Sequence, residues 1–151
     1  MATEIERKFL VTGEIPDGDD TDIVQGYLSL DPDRTVRVRI AGSRATLTIK
    51  GRTTGISRAE FEYTIPPEEA EQLLDLAIGT PIEKTRRRVP AGEHLWEIDT
   101  FHGANDGLVV AEIELGSESE SFPHPEWLGE EVSADRRYLN SHLTQQPFST
   151  W

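Results

Sequence analysis

The chain has 151 residues, no cysteine, 28 acidic and 15 basic residues, and a formal net charge of −13. This length suits one domain with a sizeable core, and the lack of cysteine excludes disulfides, thiolate metal sites and a cysteine nucleophile. The acidic balance argues against nucleic-acid and membrane-surface partners and makes an anionic ligand surprising, unless the basic residues are gathered in one place. With no membrane-spanning apolar segment and no secretory signal in the sequence, the cytoplasm is the expected compartment.

Alternation of apolar and polar residues predicts five strands in the first half of the chain. They span residues 3–11, 23–30, 34–40, 45–50 and 58–65. Residues 12–22, with Pro16, Gly18 and several aspartates, predict an acidic loop, and Asp31-Pro32-Asp33 predicts a turn.

A helix is predicted directly after the fifth strand. Pro66-Pro67 opens it, and Glu68 and Glu69 stand in the first turn, where acidic groups interact favourably with the helix dipole. An apolar stripe then continues to a stop at Gly79.

Three further strands and an irregular tail are predicted for the second half. The strands span residues 82–89, 95–101 and 108–115. In the tail, residues 118–125 are irregular, residues 126–132 predict a short helical turn, and residues 135–143 predict a helix. The expected fold is a single α+β domain, residues 1–151, dominated by eight antiparallel strands with a few helices.

Charged residues recur along the strands with a spacing of two, so each strand carries them on one face. Eight acidic and seven basic positions follow this pattern: Glu4, Glu6, Glu60, Glu62, Glu97, Asp99, Glu112 and Glu114, with Lys8, Arg37, Arg39, Lys50, Lys84, Arg86 and Arg88. Because this set is nearly balanced, the excess negative charge of the chain lies elsewhere.

Two interpretations fit these charged faces. In a single strand the pattern is typical of a solvated surface, on which opposite charges pair across neighbouring strands. A second interpretation is favoured because acidic and basic residues are separated: some strands are mainly basic and others mainly acidic. A closed eight-stranded barrel with its apolar faces covered from outside would turn the charges inward. Inside the barrel, an anion bound to the basic residues and divalent metal ions bound to the acidic residues would compensate these charges.

The residue types match phosphate chemistry. Arginine binds phosphate oxygens in a two-pronged fashion and lysine supplies point charges, while Mg²⁺ takes carboxylate oxygens and shares the phosphates. Hydrolysis of a phosphoanhydride needs a stabilised leaving group and a positioned water more than a covalent nucleophile. The pattern therefore predicts a tunnel for a polyphosphate and its metal ions.

The N-terminal Glu-x-Glu-x-Lys of Glu4, Glu6 and Lys8 resembles the signature of the CYTH superfamily, the triphosphate tunnel metalloenzymes. The downstream order matches over nearly the whole chain: Arg37-Val38-Arg39, Lys50, Glu60-Phe61-Glu62, Lys84-Thr85-Arg86, Asp99 and Glu112-Ile113-Glu114. The resemblance implies an eight-stranded antiparallel β-barrel that binds a triphosphate with divalent metal. The chain is most similar to compact bacterial members, which hydrolyse inorganic tripolyphosphate.

The resemblance also assigns roles by position. It implies that the triphosphate is bound by Lys8, Arg37, Arg39, Lys50, Lys84 and Arg86. It implies that Mg²⁺ or Mn²⁺ is bound by Glu4, Glu6, Asp99, Glu112 and Glu114. The expected catalytic residues are Glu4, Glu6, Lys8 and Lys50. Supporting roles are expected for Glu60, Glu62, Arg88 and Glu97.

Other functions fit the same residues. The family also contains class IV adenylyl cyclases and thiamine or nucleoside triphosphatases, and a non-catalytic polyphosphate-binding module would keep the same charges. The expected partner is a small anionic substrate, without nucleic acid or membrane, and a homodimer is a further expectation. The physiological triphosphate, the preferred metal and the reason for the acidic surface are left open by the sequence.

Overall fold

The computed structural model describes residues 2–151, and within them the chain forms nine strands and two α-helices. The strands are β1 Ala2–Val11, β2 Asp19–Ser29, β3 Arg34–Ala41, β4 Arg44–Gly51, β5 Ser57–Ile65, β6 Ile78–Ala91, β7 His94–Phe101, β8 Val109–Glu114 and β9 Leu128–Glu131. The helices are α1 Pro67–Leu74 and α2 Asn140–Leu143. Neither helix has the length and apolar character that crossing a membrane requires.

Eight of the strands close into an antiparallel barrel. Their order is β5-β4-β3-β2-β6-β7-β8-β1, and β5 pairs again with β1. This closing seam is short, with four residue pairs from Ala2–Glu60 to Ile5–Ser57, whereas β3 and β4 form eight. The ninth strand, β9, pairs with the later part of β1. The predicted eight-stranded antiparallel barrel is therefore confirmed.

Two predicted boundaries in the first half of the chain were wrong. The acidic loop is shorter than expected, because β2 already begins at Asp19, which lies opposite Arg88 of β6. The first helix ends at Leu74 instead of continuing to Gly79. Gly79 lies within β6 with a φ of +70°, and a Cβ there would stand 2.4 Å from the Thr144 carbonyl oxygen. Close packing against the C-terminal segment thus explains this glycine.

Both helical predictions for the tail also need correction. Within residues 126–132, Glu126 and Trp127 do form a turn, but Leu128–Glu131 form strand β9. This strand pairs with the edge of β1 that β5 leaves free, so that Phe9 lies opposite Glu131. The expected helix at residues 135–143 is divided into a 3₁₀ turn and α2 by Leu139, whose backbone is extended. In one continuous helix Tyr138 and Leu143 would point about 140° apart. The break lets both side chains reach the same apolar cluster.

The apolar side chains of most barrel strands pack on the outside of the barrel. On one side Ala70 of α1 contacts the buried Val38 and Ala45. On another side the fully buried Trp96 of β7 lies edge-on to Trp127, with ring centroids 5.3 Å apart. Since alternate residues of a strand point to opposite faces, the charged positions between these apolar residues point inward.

One end of the barrel is filled from within by apolar side chains. Ile82, Phe101 and Val110 point inward from three strands and pack against Tyr138 and Leu143. We refer to residues 132–143, which cover this end, as the C-terminal plug. In each of these strands the next inward-facing residue, two positions away, is charged. The barrel interior is therefore apolar at this end and charged directly beyond it.

Candidate active site

A cavity inside the barrel lies above the C-terminal plug. The side chains that line it are Glu6, Lys8, Tyr27, Thr35, Arg37, Arg39, Lys50, Arg58, Lys84, Arg86, Glu112, Leu139, Asn140 and Ser141. The cavity therefore brings together all six residues predicted to bind triphosphate and two of those predicted to bind metal.

The interior charges are almost completely buried. Lys84 is 2% exposed and Asp99 is not exposed at all, while Lys8, Arg86 and Glu112 are each below 9%. For these buried charges the interpretation as a solvated surface was therefore wrong, and the inward-facing arrangement is confirmed. Burying an ion without a partner is costly, so the contacts of each charge decide what the cavity can bind.

Asp99 anchors two of the bases from below the cavity surface. Its Oδ2 accepts a hydrogen bond from Lys84 Nζ at 2.8 Å, and Arg86 donates two more, from Nε at 2.8 Å and from Nη2 at 3.0 Å. Burial alone would raise the pKa of Asp99, but Lys84 and Arg86 outweigh it and hold that pKa below its usual value. Asp99 is thus engaged with cations, and the metal-binding role predicted for it stays a prediction.

Glu112 faces the cavity from the next strand. Its carboxylate lies 3.4 Å from Lys8 Nζ and 3.9 Å from Arg86 Nη2. Lys8 and Glu112 are direct partners across the β1–β8 pairing, which fixes this contact. Burial acts to raise the pKa of Glu112, yet the two cations hold it well below the ordinary value. Glu112 is therefore ionised and ready to act as a ligand.

Lys50 and Glu4, two of the predicted catalytic residues, are in direct contact. Lys50 Nζ donates to both Glu4 oxygens, at 2.9 and 3.0 Å, and lies 3.5 Å from Glu60. The hydrogen bond between Glu60 and Glu4, together with burial, raises the pKa of Glu60 to about 7. This carboxyl group can therefore gain and lose a proton near neutral pH.

Glu6 is a carboxyl group without a cationic partner. Within residues 2–151 its side chain has no hydrogen-bond or ion-pair partner, and burial next to Glu112 and Glu4 raises its pKa to about 8. No group of three Asp, Glu or His side chains in this part of the chain could hold a metal ion alone. The donor set still fits a hard dication that binds Glu6 and Glu112 and takes its other ligands from water and substrate oxygens.

Arg37 and Arg39 form the complementary feature, two cations held by neutral groups. Arg39 Nε donates to Gln25 Oε1 at 2.8 Å, and Arg37 Nη2 donates to Thr48 Oγ1 at 3.3 Å. The buried Arg37 Nε has no partner among the described residues. Burial, with Arg37 and Arg86 nearby, lowers the pKa of Arg39 to about 9. These two guanidinium groups are positioned to bind an anion.

The remaining predicted residues lie towards the rim, outside the cavity lining. Arg88 donates to Thr21 Oγ1 at 3.0 Å, and Glu97 lies 3.2 Å from Arg86. Glu62 is exposed and lies 3.8 Å from Arg44, and Glu114 is also exposed. Partial burial and the charge of Glu4 raise the pKa of Glu114.

Sequence reasoning missed several residues of the cavity. Tyr27 and Arg58 follow the same alternation as the charged positions, so an inward orientation could have been inferred for them. The same holds for Gln25, which is buried behind the lining. Asn140 and Ser141 belong to the C-terminal plug, which has no such periodicity. No sequence pattern indicated that this segment reaches the cavity.

The chain is similar to known proteins over almost its whole length. The model of the CYTH domain family matches residues 2–146. The chain is 44% identical to an inorganic triphosphatase of Acetivibrio thermocellus over 154 aligned positions, which cover 100% of the chain and 99% of that relative. It is 40% identical to an inorganic triphosphatase of Nitrosomonas europaea over 148 positions, covering 93% and 96%. The crystal structure of the inorganic triphosphatase NE1496 is similar with a TM-score of 0.67 and 36% identity, covering 93% of this chain and 97% of that one.

Proposed function

Because the chain belongs to the CYTH domain family, we propose that it is a divalent-metal-dependent triphosphatase that hydrolyses a phosphoanhydride bond of inorganic tripolyphosphate. One observation carries the proposal: Arg37 and Arg39 lack carboxylate partners in the same cavity in which Glu6 lacks a cation. A triphosphate would pair with the two guanidinium groups, and its dication would stabilise Glu6 in the ionised form. The names of the two relatives support the inorganic substrate.

Binding of the substrate would use bases that are already oriented. Arg37 and Arg39 offer planar donor pairs to phosphate oxygens. Lys84 and Arg86 are fixed by Asp99 beneath them, so little reorganisation is needed when the anion arrives. Lys8 adds a further positive charge from the opposite wall of the cavity.

The metal ion would be held chiefly by Glu6 and Glu112, with Glu4 and Glu114 closer to the rim. A bound Mg²⁺ or Mn²⁺ would neutralise part of the negative charge on the phosphates. This neutralisation also removes the repulsion between Glu6 and Glu112.

Hydrolysis requires a water molecule aligned with the phosphoanhydride bond. We assign the orientation of this water to Glu4 and Glu60, which lie beside each other around Lys50 Nζ. Glu60 is suited to accept the proton of the water, because its pKa is raised to about 7. Lys50 stays next to both carboxylates and keeps positive charge near the phosphate under attack.

Phosphate release from tripolyphosphate, pyrophosphate, ATP and thiamine triphosphate tests the proposal, each measured with Mg²⁺, Mn²⁺ or EDTA. We expect metal-dependent release that is fastest from tripolyphosphate and is lost in EDTA. Cyclic AMP and pyrophosphate from ATP would instead identify a cyclase, and tight binding without turnover would identify a binding module. Release no faster than that of the Glu4→Ala variant with every triphosphate would disprove the proposal.

Substitution of Arg39 by alanine should lower kcat/KM for tripolyphosphate by about 10- to 100-fold, the value of a charge-assisted hydrogen bond. Stability without ligand should stay equal or rise, because Arg37 and Arg86 no longer face a third buried cation. Steady-state kinetics and thermal unfolding measure the two effects. Arg87→Ala is the control, since Arg87 pairs with Asp20 on the outer surface. A large fall in melting temperature would assign Arg39 a structural role.

The cytoplasmic location and the homodimer stay predictions. The same holds for the absence of nucleic-acid and membrane partners.

A further inference from the structure

Two neutral amide side chains join the C-terminal plug to the bases of the cavity. Asn140 Oδ1 accepts a hydrogen bond from Lys84 Nζ at 2.9 Å and another from Gln25 Nε2 at 2.9 Å. Gln25 Oε1 in turn accepts from Arg39 Nε at 2.8 Å. The result is a continuous chain of hydrogen bonds from Arg39 through Gln25 and Asn140 to Lys84.

Gln25 is positioned for this contact by the barrel itself. It is completely buried on β2 and lies directly opposite Arg39 of β3. Both of its amide groups are used, one towards Arg39 and one towards Asn140. A buried amide with all its partners in place has one preferred orientation, so the guanidinium of Arg39 is held in one orientation as well.

The side chains of Gln25 and Asn140 are uncharged, and this affects how strongly the neighbouring bases can attract an anion. Lys84 already shares Asp99 with Arg86, whereas Arg39 has a neutral acceptor as its hydrogen-bond partner in the described chain. An amide oxygen can orient a cation without cancelling its charge. A carboxylate in the same place would orient it equally well but would compete with the phosphates.

We propose that Gln25 and Asn140 are positioning residues, which align Arg39 and Lys84 for the phosphates and leave the positive charge of Arg39 uncompensated by a carboxylate. This inference rests on the proposed triphosphatase function. The same plug also places the Tyr138 carbonyl oxygen 3.0 Å from Lys8 Nζ. The plug that closes the barrel end therefore also contacts Lys8 and Lys84 directly, and Arg39 through Gln25.

Two substitutions at position 140 separate positioning from simple structural support. Asn140→Leu removes the acceptor at similar volume, and we expect a fall in kcat/KM for tripolyphosphate of at least about tenfold. Asn140→Asp keeps the acceptor and adds a negative charge beside Lys84. It should keep or raise the melting temperature, yet raise KM for tripolyphosphate by at least about tenfold. A purely structural role predicts that stability and activity change in the same direction.

Asn105 provides the matched control. It is also a buried asparagine, 3% exposed, and its Oδ1 accepts a hydrogen bond from the Phe148 amide far from the cavity lining. Asn105→Asp should change the melting temperature and leave KM unchanged. The double variant Gln25→Leu with Asn140→Leu should lose more activity than Asn140→Leu, because it also removes the hydrogen bond that orients Arg39.

Calorimetric titration of tripolyphosphate into each protein in EDTA, alongside the hydrolysis assay, distinguishes the possible failures. If wild-type protein neither binds nor hydrolyses triphosphate, the proposed function is wrong. If the wild type does both and the variants at position 140 keep KM and kcat within about twofold, the positioning role alone is overturned.

Discussion

Replacing Asp99 by asparagine should destabilise the protein by about 3 kcal/mol or more and remove most triphosphatase activity. Asp99 is completely buried and accepts three hydrogen bonds from Lys84 and Arg86. An amide has one acceptor oxygen and no charge, so it would leave the buried Lys84 without a carboxylate partner and Arg86 with only its longer contacts to Glu97 and Glu112. The same cations would then lose the alignment that substrate binding needs.

Chemical unfolding at neutral pH and steady-state kinetics check this prediction. Asp20→Asn is the matched control, because Asp20 holds Arg87 by a similar two-pronged contact, at 2.7 and 3.0 Å, on the outer face of the same sheet. Since that pair is exposed, its loss should change stability little. If Asp99→Asn were as stable as Asp20→Asn, Asp99 would not be the anchor of the site.

Replacing Glu6 by glutamine should have opposite effects on activity and stability. Activity should fall at least about 100-fold, because the substitution removes a carboxylate oxygen that is proposed to bind the dication. The metal-free protein should become more stable at alkaline pH, by up to about 5 kcal/mol at pH 9. There the wild-type side chain is a buried anion beside Glu112 and Glu4.

The stability gained by Glu6→Gln should increase as the pH rises. The pKa of Glu6 is raised to about 8 in the folded protein, so the folded chain keeps a proton that the unfolded chain has already lost. Wild-type stability should therefore fall as the pH rises from about 4.5 to about 8, and the variant should show less of this fall. Urea unfolding in EDTA at pH 4.5, 7 and 9 measures the difference, with exposed Glu71→Gln as control. An equal difference at all three pH values would contradict the assignment.

Much of the site could be predicted from the sequence, because side-chain direction in a strand has a strict period of two. Arg37 and Arg39 illustrate this, since their spacing alone puts them on one face. Asp99 and Glu112 show the limit. Both are inward acids, yet Asp99 binds cations below the surface and Glu112 faces the cavity, because the pairing of β7 with its neighbours sets their depth. Local pattern contains no information on that register.

Asn140 shows a second limit of the sequence. Its position depends on the extended residue Leu139, which breaks the helix predicted there and turns the plug into the barrel end. That break is favoured by contacts of Tyr138 and Leu143 with residues from distant strands. Such contacts have no local signature, so neither the plug nor its hydrogen bonds to the bases could be anticipated.

The pairing of β1 has a consequence for the order in which the protein is made. Its partners are β5, β8 and β9. During synthesis β1 emerges first, and it cannot pair until β5, more than fifty residues later, and β8 and β9, about one hundred residues later or more, have been made. Glu4, Glu6 and Lys8 belong to that strand, and the plug that aligns the bases is synthesised later still. Folding around such distant contacts is slow, and an unpaired strand edge invites association with other chains. The charged cavity, with the residues that are predicted to be catalytic, therefore forms only after nearly all of the chain has been translated.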